Sequence, residues 1–364
     1  MISDLINMKD NTMSNSNIIF KQNIPSEIYT GIWHGGHIQG IAVDWKNRYI
    51  YCSFTTELVK LDLDGNFIGS IKGFTGHLGC LAFCEEDGRV YGSLEYKNDA
   101  IGKSILKNLG MGSVKDAFYV AIFDGEKITE RDMDAETCGA MTTVWLKEVV
   151  EDYQAQWEED GKLIEHRYGC SGIDGMTFAP AFDGNGWQLL VAYGIYSDVN
   201  RTDNDDQVLL SYRLETLKPY EAVLTKENVH NSGPGQCDAR YFVHTGNTNW
   251  GVQNMEYDSF TGDIFLAVYK GRKEQYPNFP MYVIDGSKGP TLREDGKMEL
   301  HLKETGLFEK EIWGLRFRWG STGMVSIGDG TFYFSNEKDQ QSNHESNIYR
   351  YRYTGDATEP FVLI

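Results

Sequence analysis

The run Trp33 to Gly40 reads W-H-G-G-H-I-Q-G and sets His34, His37 and Gln39 within six residues of one another. Imidazole nitrogens suit Zn, Mn, Fe or Ni, and an amide oxygen can complete a first shell, so a divalent metal is one reading. The same imidazoles read equally as substrate contacts or a general base, because histidine titrates near neutral pH. A similar run one block later, HLGCLAF (His77 to Phe83), parallels HIQGIAV (His37 to Val43) and adds His77 to the set. The metal reading therefore uses His34, His37, Gln39 and His77.

Three more runs follow that pattern: GIDGMTF (Gly172 to Phe178), GVQNMEY (Gly251 to Tyr257) and EIWGLRF (Glu311 to Phe317). Superposed, the runs carry an aliphatic residue at the second position and Gly, Cys or Asn at the fourth. The third position holds Gln39, Asp174, Gln253 and Trp313, and Asn254 takes the small-residue position. Such a recurrence at tens of residues points to a radial or solenoidal array of β units.

Each run opens a block of about four short β-prone segments divided by turn signals, Asp64-Gly65 being one. Through these aligned starts, residues 30–364 resemble the β-propeller superfamily in its five-bladed form, without singling out one family. The expected fold is all-β: a five-bladed β-propeller of four-stranded blades, with helical insertions in blades two and three. Blade starts fall near residues 37, 77, 172, 251 and 311, within a propeller of residues 18–364 that follows a disordered tail of residues 1–17. Gly40, Gly175 and Gly314 read as close-packing positions on the inner strands.

An insertion at Asp99 to Asp116 reads as partly helical, and Thr143 to Trp157 as an amphipathic helix. The segment Thr225 to Asn249 reads as a long connection between blades three and four.

A formal charge of −19 over 364 residues disfavours nucleic acid and anionic membrane as partners, since both select basic patches. The six cysteines form no C-x-x-C pair and read as reduced, buried thiols. No secretory leader pattern opens the chain, so a cytoplasmic location is expected. Without a nucleophile elbow, phosphate loop or dinucleotide fingerprint, no organic cofactor is expected.

In a propeller the starts of the innermost strands and the ends of the second strands converge on one end of the central channel. That geometry gathers Glu95, Tyr193, Lys270, Arg272 and Glu337 toward His37 and His77, although a solvated rim explains any single charge equally well. A base beside a cation suits proton abstraction next to a carboxylate, whereas two carboxylates suit glycoside hydrolysis. An oxygen-rich set of Asp174, Gln253, Asn254 and Glu95 would suit Ca²⁺ instead.

The five-bladed relatives include arabinan- and fructan-acting glycosidases, a calcium-dependent nucleotidase and a lectin. This chain shows His37, Gln39 and His77 where those glycosidases would show aspartate. Larger propellers include pectin-fragment lyases with a His/Gln-bound metal, which His34, His37 and Gln39 resemble in residue type but not in order.

The leading expectation is a carbohydrate-active enzyme, lyase or glycoside hydrolase, acting on a small acidic saccharide at the axial pocket. His37 and His77 are base or metal ligands, Tyr193 an acid or base, Lys270 and Arg316 carboxylate binders, and Trp313 a sugar platform. Gln39, Asp174, Gln253, Asn254, Glu95 and Glu337 line the pocket, with Mn, Zn or Ca as the metal. The rival expectation is a noncatalytic ligand-binding or scaffold propeller.

Overall fold

The computed structural model describes residues 23–364 except 109, 111, 228 and 341–342, so the expected tail at residues 1–17 lies outside the described residues. Alternating apolar stretches form antiparallel sheets whose strands are buried on both faces, as Ile38–Asp44, Ala117–Phe123 and Asp206–Tyr212 are along their whole length. A sheet apolar on both sides must be covered on both sides. Radial stacking of blades meets that need, and five apolar clusters fill the five blade–blade interfaces.

Blade 1 comprises Ile38–Asp44, Tyr49–Phe54, Glu57–Asp62 and Phe67–Lys72 from the axis outward. Blade 2 comprises His77–Cys84, Arg89–Tyr96, Ala117–Phe123 and Met141–Trp145. Blade 3 comprises Cys170–Pro180, Trp187–Ile195, Asp206–Tyr212 and Ala239–His244. Blade 4 has three strands, Thr248–Tyr257, Ile264–Lys270 and Met281–Ile284. Its outer edge is covered by single bridges, Ile284 to Leu302 and Met281 to Leu315.

Blade 5 runs Met324–Ser326, Thr331–Gln340 and Asn343–Tyr353. Its outer edge is shared by the two ends of the described chain: Glu27–Trp33 pairs with one part of Asn343–Tyr353 and Phe361–Leu363 with the other. The ring is thus closed by strands from opposite ends of the sequence. Trp33 secures this closure, being 5 % exposed, with its indole nitrogen donating to Thr30 O at 2.6 Å.

Four of the five expected inner strands are where the repeat puts them; the fifth is not. The segment Leu307–Glu309 and Ile312–Gly314 forms a separate two-stranded hairpin, and the axial strand of blade 5 is Met324–Ser326. The repeat explains this replacement. Gly323 stands at the fourth position of Gly320-Ser-Thr-Gly-Met-Val-Ser326, where a Cβ would lie 3.2 Å from Ile41 of blade 1. Gly40 and Gly175 play the same part, with Cβ positions 2.7 Å from Leu81 N and from Val252 Cγ1 of the next blades. Gly314 instead packs under Phe279, away from the axis.

Two connections also differ from expectation. The stretch from Thr143 to Trp157 splits into the end of the outer strand of blade 2, the helix Lys147–Tyr153 and the start of the hairpin formed by Gln156–Glu159 and Lys162–Glu165. The span Thr225 to Asn249 contains the outer strand of blade 3, Ala239–His244, rather than a free connection. The insertion after blade 2's second strand carries the helix Ala100–Asn108, as expected. Among the described residues no helix is long and apolar enough to cross a membrane.

Candidate functional site at the channel mouth

The inner strands come so close that side chains bridge the axis. The Asn254 amide nitrogen, on blade 4, donates to Gln39 O of blade 1 at 2.8 Å and to Ser321 O, just before the axial strand of blade 5, at 3.0 Å. The Cys80 thiol of blade 2 lies 3.5 Å from Met176 O of blade 3, and burial pushes it up to about 12. These contacts bar the channel at the level of the fourth repeat position. The polar residues above them therefore line one end of the axis.

The deepest of those residues carry charge. Glu95 is 3 % exposed; its two oxygens accept from Ile173 N at 2.6 Å and from Lys97 Nζ at 2.8 Å. Lys97 also donates to Ser171 O at 2.9 Å and lies 3.7 Å from Asp99. His77 Nδ1 stands 3.6 Å from the Lys97-bound oxygen of Glu95. Burial opposes the Glu95 charge, but Lys97 and His77 outweigh it and hold the carboxyl below the ordinary range. Burial likewise works against the Lys97 ammonium, and the charges of Glu95 and Asp99 raise it despite that.

Asp174 is pushed the other way. Although part of the residue reaches solvent, its carboxyl packs into the wall; burial first and the Glu95 charge second raise it well above the carboxylate range. Lys97 and a hydrogen bond from Gln253 oppose the rise without cancelling it. The space it fills exists because the third position of blade 2 is Gly79. A Cβ there would collide with Asp174 Oδ1 and lie 2.5 Å from Ser93 Oγ. The Ser93 hydroxyl is buried and takes no hydrogen bond from the protein. Two neighbouring carboxyls pushed in opposite directions, Glu95 down and Asp174 up, are the pattern from which acid–base assignments are read.

Across the mouth, His37 Nδ1 lies 3.2 Å from Glu337 Oε1, with the two side chains 39 % and 27 % exposed. The Gln39 amide nitrogen lies 2.9 Å from His37 Nε2 and donates to Thr55 Oγ1 at 3.2 Å. With that amide donating to Nε2, the imidazole proton sits on Nδ1 and faces Glu337. Tyr269 stands opposite Asn249 at the head of blade 4, where burial, then the charges of Asp174 and Glu337, push its hydroxyl up to about 12. The two carboxyls thus share one neighbourhood.

Of the residues singled out from sequence, His37, Gln39, His77, Glu95, Asp174, Gln253, Asn254 and Glu337 stand at or beside the channel end. Tyr193 does not: it is wholly buried between blades 2 and 3 with its hydroxyl on Asp152 at 2.9 Å. Lys270 and Arg272 are exposed, the latter donating to Ser197 at 3.1 Å. Trp313 packs on Phe308 in the separate hairpin, and Arg316 pairs with Glu309 at 2.8 Å there. His34 is exposed on the loop before blade 1.

The expected ligand set for a metal does not assemble. His37 serves Glu337 and Gln39, while His77 serves Glu95 one blade on. Among the described residues no three or more His, Cys, Asp and Glu side chains are grouped to hold a metal ion. In the oxygen-rich alternative Glu95 is committed to Lys97, and the Asn254 amide nitrogen is held by two carbonyls while its oxygen is buried without a hydrogen-bond partner among the described residues.

Sequence reasoning missed Lys97, Tyr269 and Gly79. Lys97 closes the polar run Ser93-Leu-Glu-Tyr-Lys97, the only signal available for it.

No protein-family model and no curated protein matches this chain. Solved structures of similar fold include the Kuenenia stuttgartiensis hydrazine synthase, at 10% identity and a TM-score of 0.37, over 82% of this chain. The chain spans about 61% of the length of that protein. The soluble aldose sugar dehydrogenase of Escherichia coli, in its apo form, is similar at 10% identity and a TM-score of 0.36, over 88% of this chain and 98% of its own. The Cps50 (Swd1) β-propeller domain of Myceliophteria thermophila is similar at 9% identity and a TM-score of 0.32, again over 88% and 98%. The five blades, closed by both ends of the described chain, make this protein a five-bladed β-propeller.

Proposed function

We propose that the channel mouth cleaves a glycosidic bond by acid–base catalysis, with Asp174 as the acid and Glu337 as the base or nucleophile. The observation that carries this reading is the Asp174 carboxyl packed against Gly79 at the channel end, raised above its ordinary value by burial and the Glu95 charge, with the partly exposed Glu337 facing His37 at the same end. A carboxylic acid protonates the leaving oxygen while the second carboxylate activates water or attacks the sugar carbon. His37 acts through Glu337, orienting it from Nδ1 rather than touching the sugar. Glu95 and Lys97 act through Asp174: the Glu95 charge keeps its proton on, and Lys97 keeps Glu95 ionised.

One cation expected to bind a substrate carboxylate, Arg316, is instead paired with Glu309 in the separate hairpin. Lys97 is engaged with Glu95, so a neutral saccharide suits the mouth better.

The test is hydrolysis of an aryl-glycoside panel and of matched natural oligosaccharides. An acid catalyst matters most when the leaving group is poor. Asp174→Asn should therefore lose 10²-fold or more, in order of magnitude, on oligosaccharides and much less on activated aryl glycosides. Glu337→Gln should lose both. Equal effects of Asp174→Asn on both substrates would remove its assignment as acid.

The engagement of Glu95 with Ile173 and Lys97, and the bar of Asn254 beneath it, favour a second reading as a noncatalytic binding cup. Saccharide binding by calorimetry without turnover of any panel member would select it.

A further inference from the structure

The channel mouth has an aromatic residue that neither the acid nor the base explains. Trp250 lies within the register shift between Asn249 and Val252 at the head of blade 4's innermost strand and is partly exposed. Its backbone is left-handed, with φ at +68°, a conformation that is strained for a bulky residue. Gly251 continues the turn at +76°, and a Cβ there would collide with the Tyr193 carbonyl.

Two contacts tie this strained residue to the acid. The Trp250 carbonyl accepts from Gln253 Nε2 at 3.1 Å, and Gln253 is the residue that hydrogen-bonds Asp174. The indole meets the Tyr196 ring edge-on, at 5.6 Å between centroids. Tyr196 in turn donates to Asp99 at 3.2 Å, and Asp99 faces Lys97. Trp250 is thus held from two sides by the groups that set the Asp174 proton. Strain kept by such bracing is a signature of a functional position.

We propose that Trp250, backed by Tyr196, is the platform on which the sugar ring next to Asp174 stacks, and so a specificity-determining residue of the mouth. This rests on the glycosidase reading above. An indole face offers a wide apolar surface to the C–H face of a pyranose, and its rigidity makes the contact cheap in entropy. The preferred substrate is then a neutral pyranoside presenting axial hydrogens on one face, rather than a charged or flexible acyclic ligand.

Two small variants separate stacking from structure. Trp250→Gly and Trp250→Ala both remove the indole and its contact with Tyr196, but only glycine relaxes the left-handed backbone. The Gly variant should melt above the Ala variant, and both should raise KM about tenfold with kcat changed much less. Trp250→Phe should recover most of the affinity. Saccharide should quench the tryptophan emission of the wild type more than that of Trp250→Phe.

KM unchanged in both small variants, in a wild type that turns over the saccharide, would overturn the platform while leaving Asp174 and Glu337 in place. A wild type that neither binds nor cleaves any saccharide would overturn both readings together.

Discussion

Asn254 and Gln39 belong to blades 4 and 1, which are not neighbours in the ring, yet the amide of one donates to the backbone carbonyl of the other at 2.8 Å. The propeller is therefore stitched through its middle as well as around its rim. Both residues are buried, so the bond lies where unmade partners are costly.

Replacing Asn254 by Ala leaves the Gln39 and Ser321 carbonyls without their donor. The expected loss is about 1–3 kcal/mol for each stranded group, read by urea denaturation. Asn254→Asp should be worse, because a carboxylate would face two carbonyl oxygens. An Ala variant as stable as the wild type would show that the bridge does not hold the ring.

Gly79→Ala is expected to disable the site with only a moderate effect on the fold. The new methyl would occupy the space of the Asp174 carboxyl and stand 2.5 Å from Ser93 Oγ, so one of the two side chains must move. Overpacking of this kind costs about 1–3 kcal/mol. Activity should fall by far more than the stability loss explains, and a calorimetric scan with a rate measurement separates the two.

The sites of chemistry were legible in sequence where they fall on the repeat. His37, His77, Asp174 and Gln253 occupy aligned positions, and inner strands that crowd an axis impose that alignment on their residue types. The fifth start was misplaced because Ile312-Trp-Gly-Leu315 imitates the pattern in a hairpin. The true strand hides behind Ser321 and Thr322, which take the positions where the other blades have Ile38 and Gln39. Tyr193 failed for a different reason: strand side chains alternate, and its phenol falls on the blade interface beside Val191 and Ile195 rather than on the axis. Lys97 was invisible because a lone lysine at a strand end reads as solvated until the strand register brings Glu95 and blade 3 against it.

Removing Lys97 should be the most damaging single change at the mouth. Lys97→Met leaves the Glu95 carboxylate buried beside Asp174 without its cation; breaking a buried pair in this way costs about 3–5 kcal/mol. The double variant Glu95→Gln, Lys97→Met should regain most of that loss, since no bare charge remains. A single variant no less stable than the double would show that the pair is not electrostatically coupled.

The Asp174 proton makes a prediction with a definite sign. The folded state holds this carboxyl above its unfolded value, so the folded chain binds more protons than the unfolded chain between the two. The contribution of Asp174 to stability is thus fully present below the ordinary carboxylate value of about 4 and is lost as pH rises through the raised value. Asn, which cannot ionise, escapes that loss. Asp174→Asn should match the wild type in melting temperature at low pH and exceed it increasingly toward neutral pH, by about a few degrees. Over the same range the wild-type rate on oligosaccharides should fall on the alkaline side, because ionisation removes the acid. Melting curves of both proteins across the acid-to-neutral range decide the point: an Asn variant whose advantage shrinks as pH rises would mean that Asp174 is ionised in the folded protein and is not the acid.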